Sequence, residues 1–225
     1  MSLKEPFKIA LLSATGKEGP PLALRWAMAG HEITIGSRNI EKARDVAHGL
    51  MSKLEDYNIR NPIKYGDNAA VVEMADIVVL TMPYKAFLEA LPGLKENIRP
   101  HTIIICPILN LAKKEGELVN DPMDQGSVAK FIAKALPQAS VASAFQTVSA
   151  NRLANSDLNV IGDVPICSDH KETTEIVKQL ITDIPDLRPI ESGGLQHSRF
   201  IEDLAAFIIN IGRKTKKTDL GVKFV

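Results

Sequence analysis

The chain has 225 residues, and its 27 lysines and arginines are balanced by 27 aspartates and glutamates. This balance argues against nucleic acid or an anionic membrane surface as a partner, and no apolar run is long enough to span a bilayer. A hydrophobic share of 45% fits one α/β domain of ordinary size. The polar N-terminus and two widely separated cysteines, Cys106 and Cys167, expected to be buried thiols, favour a cytoplasmic protein.

The first 38 residues predict a strand, a turn, a helix and a second strand. An apolar run at 7–13 predicts a buried strand, and a turn containing glycines follows at 14–19. Residues 20–30 predict a helix that glycine ends, and 31–38 a second strand. Such a βαβ unit is typical of a dinucleotide-binding site.

The turn after the first strand has the features of a phosphate-binding loop. A pyrophosphate must approach the backbone closely at Gly16, and the helix must pack tightly on the strand at Gly19. Ala14 stands where the usual fingerprint has glycine, and alanine adopts positive φ poorly. Pro20 and Pro21 cannot donate hydrogen bonds, so the backbone amides of the turn are the expected phosphate donors. The candidate residues are Thr15, Gly16, Lys17, Glu18 and Gly19.

The end of the second strand predicts which nicotinamide coenzyme is bound. NAD sites usually have an acidic residue there for the ribose hydroxyls, whereas this strand ends in Ser37 and Arg38, with Lys42 one helical turn later. One hydroxyl and two cations suit a 2′-phosphate, which favours NADP(H). The alternative is that Arg38 and Lys42 only belong to the exposed face of the next helix.

The rest of the chain continues to alternate strands and helices. A short helix at 67–74 should be capped by Asp67 or Asn68. Residues 108–125 are irregular and predict a lid or a partner-binding segment, and 146–155 predict a loop. Further helices are expected at 40–54, 84–94, 127–136, 171–182 and 195–211, and further strands at 63–65, 76–83, 101–107, 139–145, 164–168 and 187–190.

This alternation predicts an α/β fold, a Rossmann-like doubly wound and mostly parallel sheet with a C-terminal helical extension. We expect one domain, in which 1–150 form the NADP-binding core and 151–225 complete a second-substrate site and a dimer surface. Ligands of such sheets lie at the carboxyl ends of the strands. The nicotinamide should therefore lie against the loops at 13–19, 81–84, 106–110 and 146–150, which include Met82 and Pro83.

Several motifs extend over nearly the whole chain. They include Gly-Ser-Arg at 36–38, Leu-Thr-Met-Pro at 80–83, Val-Pro-Ile-Cys at 164–167, Leu-Arg-Pro at 187–189 and Leu-Gly-Val-Lys-Phe at 220–224. In these motifs the chain resembles the NADPH-dependent deazaflavin reductases, the NADP oxidoreductases that use coenzyme F420. The resemblance implies a homodimer that passes a hydride directly between NADP(H) and the deazaflavin.

The resemblance also implies site residues. NADP contacts are implied at residues 15–18 and at Ser37, Arg38, Lys42, Tyr84 and Ala150. A deazaflavin site is implied at Gln146, Val148, Arg199 and Leu220. The chain differs from the family at Ser13-Ala14, which replaces a glycine pair, at Gln146, where relatives commonly have histidine, and at Asp203 and Ala205, where relatives have small hydroxyl residues. Asp203 could pair with Arg199 four residues before it on the same helix face.

No catalytic triad, paired carboxylate or metal cluster is recognisable, and the five histidines have no ligand spacing and are expected at the surface or at strand ends. Direct hydride transfer needs none of these groups, because it depends on proximity and stacking. One alternative is reduction of a flavin, imine or ketone, for which Tyr84 or His197 would be the proton donor. Another is a non-catalytic NADP-sensing module.

Overall fold

The computed structural model describes residues 5–155 and 159–225, and its centre is an eight-stranded sheet. The strands of this sheet are β1 (Lys8–Leu12), β2 (Glu32–Gly36), β3 (Lys64–Gly66), β4 (Ile77–Leu80), β5 (Ile103–Cys106), β8 (Ser140–Ser143), β9 (Gly162–Ser168) and β10 (Leu187–Glu191). A separate hairpin consists of β6 (Leu111–Lys114) and β7 (Glu117–Asn120). The helices are α1 (Gly19–Met28), α2 (Ile40–Asp56), α3 (Asn68–Glu73), α4 (Tyr84–Asn97), α5 (Val128–Ala135), α6 (Ala150–Ala154), α7 (Lys171–Thr182) and α8 (Ser198–Thr215).

The strand order confirms the doubly wound prediction. It is β10-β9-β8-β5-β4-β1-β2-β3, so the chain first moves outward from β1 to β3 and then returns to β4 on the other side of β1. The topological switch point lies between β1 and β4, where a ligand crevice is expected in such sheets. All pairs are parallel except β8 with β9, which is antiparallel, so the sheet is mostly parallel.

Both faces of the sheet are covered by helices, which explains why its central strands are apolar on both sides. One core cluster packs α1, α2 and α7 against the sheet, and a second packs α4 and α5 against the opposite face. Trp26 of α1 is fully buried and donates its indole N–H to the Leu180 carbonyl of α7 at 2.9 Å. The two cysteines are buried and free, as expected.

Helix caps lie where the sequence predicts them. The Asp67 carboxylate accepts hydrogen bonds from the N–H groups of Ala69 and Ala70 at the start of α3, and the Ser127 hydroxyl accepts from Lys130 in α5. These caps satisfy N–H groups that have no partner inside the helix. The helix α7 has the predicted bounds.

Several predictions about local structure are wrong. The segment 108–125 is not irregular, because it contains the β6–β7 hairpin, and the loop predicted at 146–155 contains the short helix α6. The last helix continues to Thr215 instead of ending at residue 211. His31 lies directly before β2, as expected of a strand-end residue, and it is buried. Its ring bonds to the Asp183 carboxylate at 3.0 Å and to the Phe7 N–H at 3.2 Å.

Polar side chains of α8 hold the hairpin in place. The Asn210 side chain accepts from the Leu118 N–H at 2.9 Å and donates to the Leu118 carbonyl at 2.6 Å. The fully buried Glu202 carboxyl accepts from the Val128 N–H of α5 at 2.9 Å and from the Asn120 amide of β7 at 3.3 Å. The hairpin is therefore a fixed part of the fold rather than a free lid.

The Glu202 carboxyl has a pKa raised to about 7, because burial disfavours its charged form more than the N–H donors favour it. Its pKa in the unfolded chain is near the ordinary value of 4.5. The folded chain thus holds the proton more tightly than the unfolded chain does. Protonation of Glu202 therefore stabilises the folded chain. This contribution is complete below pH 4.5 and is lost as the pH rises through 7.

We predict that Glu202→Gln weakens this pH dependence. Between pH 5.5 and 8 the unfolding free energy of the unsubstituted chain should fall. In the variant the fall should be smaller by on the order of 1–3 kcal/mol, because glutamine does not lose a proton in this range. Urea unfolding followed by circular dichroism measures the difference, with the exposed Glu96→Gln as the control. Identical pH slopes in the unsubstituted chain and in Glu202→Gln would contradict the assignment.

Candidate functional site

In the turn between β1 and α1, the residue with a positive φ is Ser13, at 54°, rather than Ala14, where the usual fingerprint has glycine. The Ser13 N–H donates to the Asn68 side chain at 3.2 Å, and the Ala14 N–H donates to the Gly36 carbonyl at 3.1 Å. The turn is thus fixed to the end of β2 and to the start of α3. Alanine at position 14 needs no unfavourable backbone conformation.

Gly19 allows α1 to approach β1 as the sequence predicts. A Cβ atom at Gly19 would lie 2.5 Å from the Cα and Cβ atoms of Ala14 and 2.9 Å from the Thr81 hydroxyl oxygen. That hydroxyl donates to the Leu12 carbonyl at 2.9 Å and so joins the ends of β1 and β4. Gly16 differs, because a Cβ atom there would meet nothing within 4 Å. Its lack of a side chain leaves the surface of the turn open.

The turn can bind an anion through its backbone. Within the described chain, no acceptor is found for the N–H groups of residues 15–18, which come directly before the ten-residue helix α1. The partial positive charge at the start of a helix also favours an anion. Glu18 lies here too, and burial raises the pKa of its carboxyl to about 7. Partial protonation near neutral pH reduces its repulsion of a bound phosphate. The turn therefore fits the pyrophosphate of a dinucleotide.

The polar residues after β2 lie next to this turn. Ser37 is buried, and its hydroxyl accepts from the Asn39 N–H at 3.1 Å. Arg38 is exposed, and its guanidinium contacts the Glu89 carboxylate of α4 at 3.0 Å. Lys42 is exposed on the first turn of α2. An exposed ion pair such as Arg38–Glu89 contributes little and is easily exchanged for another anion.

A cavity of about 850 Å³ opens beside the turn at the carboxyl ends of the strands. Its walls are the turn, the segment after β5, residues 146–151, the last turns of α8 and the C-terminal tail. Six of the expected site residues line it, namely Lys17, Glu18, Gln146, Val148, Ala150 and Leu220. A volume of this size is within the range of small-molecule and cofactor sites.

The other expected residues lie outside this lining in the described part of the chain. Thr15, Gly16 and Gly19 belong to the turn, Ser37, Arg38 and Lys42 follow β2, Met82, Pro83 and Tyr84 follow β4, and Arg199 is in the first turn of α8. Arg199 pairs with Asp203 at 3.7 Å, as the sequence predicts. Neither Tyr84 nor His197, the candidate proton donors, is among the lining residues.

The Gln146 side chain has an unused hydrogen-bond acceptor at the cavity. Its amide nitrogen donates to the Cys106 carbonyl at 2.8 Å and contacts the Ser143 hydroxyl at 2.7 Å. Its buried carbonyl oxygen is among the few buried side-chain atoms of the described residues that have no partner. Such an atom is costly unless a ligand completes the hydrogen bond. A bound ligand could supply that hydrogen bond only if the side chain turned, because protein atoms cover the oxygen.

Sequence reasoning named Leu220 of the tail but missed the end of α8 and the tail residues before Leu220. Ile208, Gly212, Arg213, Lys216 and Thr218 all line the cavity. The apolar periodicity of α8 indicates a buried face but not which neighbour covers it. The motif at 220–224 was the one signal that the tail takes part in the site.

Comparisons with known proteins agree with this geometry. Residues 8–108 match the family described as NADP oxidoreductase coenzyme F420-dependent. The F420-dependent NADP reductase of Methanothermobacter marburgensis is 34% identical over 96% of this chain and 97% of its own. The reductase of the same name from Methanocaldococcus jannaschii is 32% identical over 96% of this chain and 97% of its own.

A solved structure shows the same fold. The crystal structure of a protein assigned as an F420-dependent NADP-reductase from Arthrobacter sp. FB24 has a TM-score of 0.80 at 22% identity, and the match covers 97% of this chain and 99% of that one. The curated relatives carry the family assignment, because they exceed 30% identity over nearly the whole chain. The chain belongs to the F420-dependent NADP reductase family.

Proposed function

We propose that residues 1–225 form one domain in which NADP(H) and the deazaflavin of coenzyme F420 meet in the cavity of about 850 Å³. The chain is an NADP-dependent oxidoreductase, and its reaction is hydride transfer between these two molecules. The observation that carries the proposal is that one cavity joins Lys17 and Glu18 of the turn to Gln146, Val148 and Leu220.

NADP(H) binds along the carboxyl edge of β1, β2 and β4 in this proposal. The amides of residues 15–19 bind the pyrophosphate, and Gly16 gives it access. Ser37, Arg38 and Lys42 bind the 2′-phosphate, for which Arg38 leaves Glu89. The nicotinamide then lies against the carboxyl edge near the switch point. The residues proposed to contact it are Met82, Pro83, Tyr84 and Ala150.

The deazaflavin lies on the other side of the cavity. The Gln146 side chain turns so that its carbonyl oxygen, which protein covers in the structure, accepts the ring N–H. The apolar side chains of Val148 and Leu220 pack against the ring faces. Arg199 is proposed to contact the coenzyme from outside the lining, and its partner Asp203 reduces its net charge. Residues 1–150 thus bind NADP(H), and 151–225 complete the second site.

The chemistry that NADP(H) and F420 supply is a hydride carried on one ring and accepted by the other. The chain contributes binding and orientation, since the turn fixes one ring and Gln146 fixes the second. Apolar residues such as Ala205 and Ile208 form part of the cavity wall. No proton donor is required in this proposal, because the hydride passes directly from one ring to the other.

We also propose that the active form is a homodimer in the cytoplasm. Phe200 and Phe207 on α8 are 68% and 62% exposed, and their spacing of two helical turns puts them on one face. A second copy that covers this face would remove both rings from water. Sedimentation at a mass of one chain would oppose the dimer.

The two free cysteines support a reducing compartment. Among the described residues, no helix is long and apolar enough to cross a membrane.

An acceptor assay tests the reaction. Purified protein is mixed with NADPH and, separately, with F420, FMN, or a panel of imines and ketones, and nicotinamide absorbance is followed. We expect turnover with F420. Turnover only with FMN, an imine or a ketone would assign a different acceptor, and no turnover despite NADPH binding would support a sensing module.

Arg38→Ala tests the coenzyme preference. The dissociation constant for NADPH should rise at least about tenfold, because about 1.4 kcal/mol of phosphate binding is lost, whereas that for NADH should change little. Fluorescence titration measures both constants. Arg44→Ala, which removes an exposed arginine of α2, is the matched control. Equal losses for the two coenzymes would refute the role of Arg38.

Two glycine variants separate folding from binding in the turn. Gly19→Ala should lower the unfolding free energy by about 1–3 kcal/mol, because its Cβ atom would overlap Ala14. Gly16→Ala should leave stability within about 0.5 kcal/mol, since its surroundings are open. It should nevertheless weaken NADPH binding about tenfold, because the methyl group obstructs the pyrophosphate. Urea unfolding and NADPH titration are measured on both, and unchanged NADPH affinity in Gly16→Ala would count against the turn.

A further inference from the structure

The C-terminal strap, residues 216–224, reverses the direction of the chain after α8. Lys216 adopts the left-handed conformation with φ 56°, and the Lys217 N–H donates to the Gly212 carbonyl at 3.0 Å. Lys216, Lys217, Thr218 and Leu220 of the strap line the cavity. The strap is therefore one wall of the proposed deazaflavin site.

The first half of the strap is bonded to the opposite wall. The Thr218 carbonyl accepts from the Ser149 hydroxyl and from the Asn151 side-chain amide, both at 3.1 Å. These two donors flank Ala150, which lines the same cavity. All of these bonds are exposed to water, so on their own they fix the strap only weakly.

The second half of the strap is held by an ion pair between a buried aspartate and an exposed arginine. Asp163 of β9 is 2% exposed, and its carboxylate receives two hydrogen bonds from the Arg188 guanidinium of β10, at 2.8 and 2.7 Å. The Asp163 N–H donates to the Val222 carbonyl at 2.8 Å. The Phe224 N–H donates to the Asp163 carboxylate, and Arg188 donates to the Phe224 carbonyl.

Every charged group of this pair thus also contacts the strap backbone. Burying a carboxylate is costly unless its oxygens are fully hydrogen-bonded, and here the Arg188 fork and the Phe224 N–H supply the bonds. Neither Asp163 nor Arg188 lines the cavity. Their contact with the site runs through the strap, from residues 222–224 to Leu220.

We propose that Asp163 and Arg188 are positioning residues for the deazaflavin site, because their ion pair holds the strap against the cavity so that Leu220 packs on the ring. The proposal rests on the function proposed above. Among the described residues, no hydrogen bond or ion pair links the pyrophosphate turn or the residues after β2 to the strap. We call the Asp163–Arg188 ion pair and its bonds to residues 222–224 the clamp. Loss of the clamp therefore weakens deazaflavin binding and leaves NADP(H) binding intact.

The test uses two variants that leave the buried carboxylate in place. Arg188→Gln removes the clamp from its exposed side, and a chain ending at residue 221 removes the clamped part of the strap. Arg99→Gln is the matched control, because Arg99 forms an ion pair with Asp76 at the amino end of the sheet and is as exposed as Arg188. Thermal unfolding of each variant establishes that it is folded.

Steady-state kinetics with F420 and NADPH give the decisive readout. Both variants should raise the KM for F420 about tenfold, change the NADPH dissociation constant less than twofold, and show no further increase when combined. Arg99→Gln should match the unsubstituted chain. An unchanged KM for F420 in both variants, or equal losses for F420 and NADPH, would overturn the proposal alone. No F420 turnover by the unsubstituted chain would overturn the proposed function and this proposal with it.

Discussion

The close contact between Ala14 and Gly19 is the constraint on which the rest of the structure depends. It brings the start of α1 close to the end of β1, next to the switch point between β1 and β4. The Thr81 hydroxyl links the ends of β1 and β4 at the same place, because it donates a hydrogen bond to the Leu12 carbonyl. A larger residue at position 19 would move the helix away and widen the turn. The phosphate-binding geometry is thus a result of packing, not of the glycine pattern alone.

The elements with strong local signals could be predicted from the sequence. The β-branched runs predicted the central strands, and Asp67 and Ser127 predicted where two helices begin. Both kinds of signal depend on residues that are close together in sequence. The hairpin at 111–120 was missed, although Glu115 and Gly116 both adopt the positive φ of a two-residue hairpin turn. Its place in the fold could not be predicted, since it depends on Asn210 and Glu202, which are over 80 residues away in sequence. The same holds for Ser13, whose unusual φ is supported by Asn68 of another helix.

Part of the candidate site could be predicted from the sequence, because that part is formed by residues close together in the chain. The turn and the basic residues after β2 form a local pattern, and the residue types alone indicate a phosphorylated coenzyme. The wall formed by the end of α8 and the strap depends on long-range contacts such as Asp163 with Phe224. Only family resemblance pointed to Leu220. Gln146 carries the clearest structural sign of a ligand, an unpaired buried oxygen, which no sequence pattern can reveal.

The bidentate contact of Asn210 with Leu118 has a consequence for solubility. A two-stranded hairpin offers unpaired backbone groups to any extended peptide, which makes it a starting point for intermolecular sheet growth. The Asn210 amide imitates a third strand by bonding both backbone groups of Leu118 on β7. One side chain thereby leaves fewer unpaired backbone groups on the β7 edge for a second chain to bond.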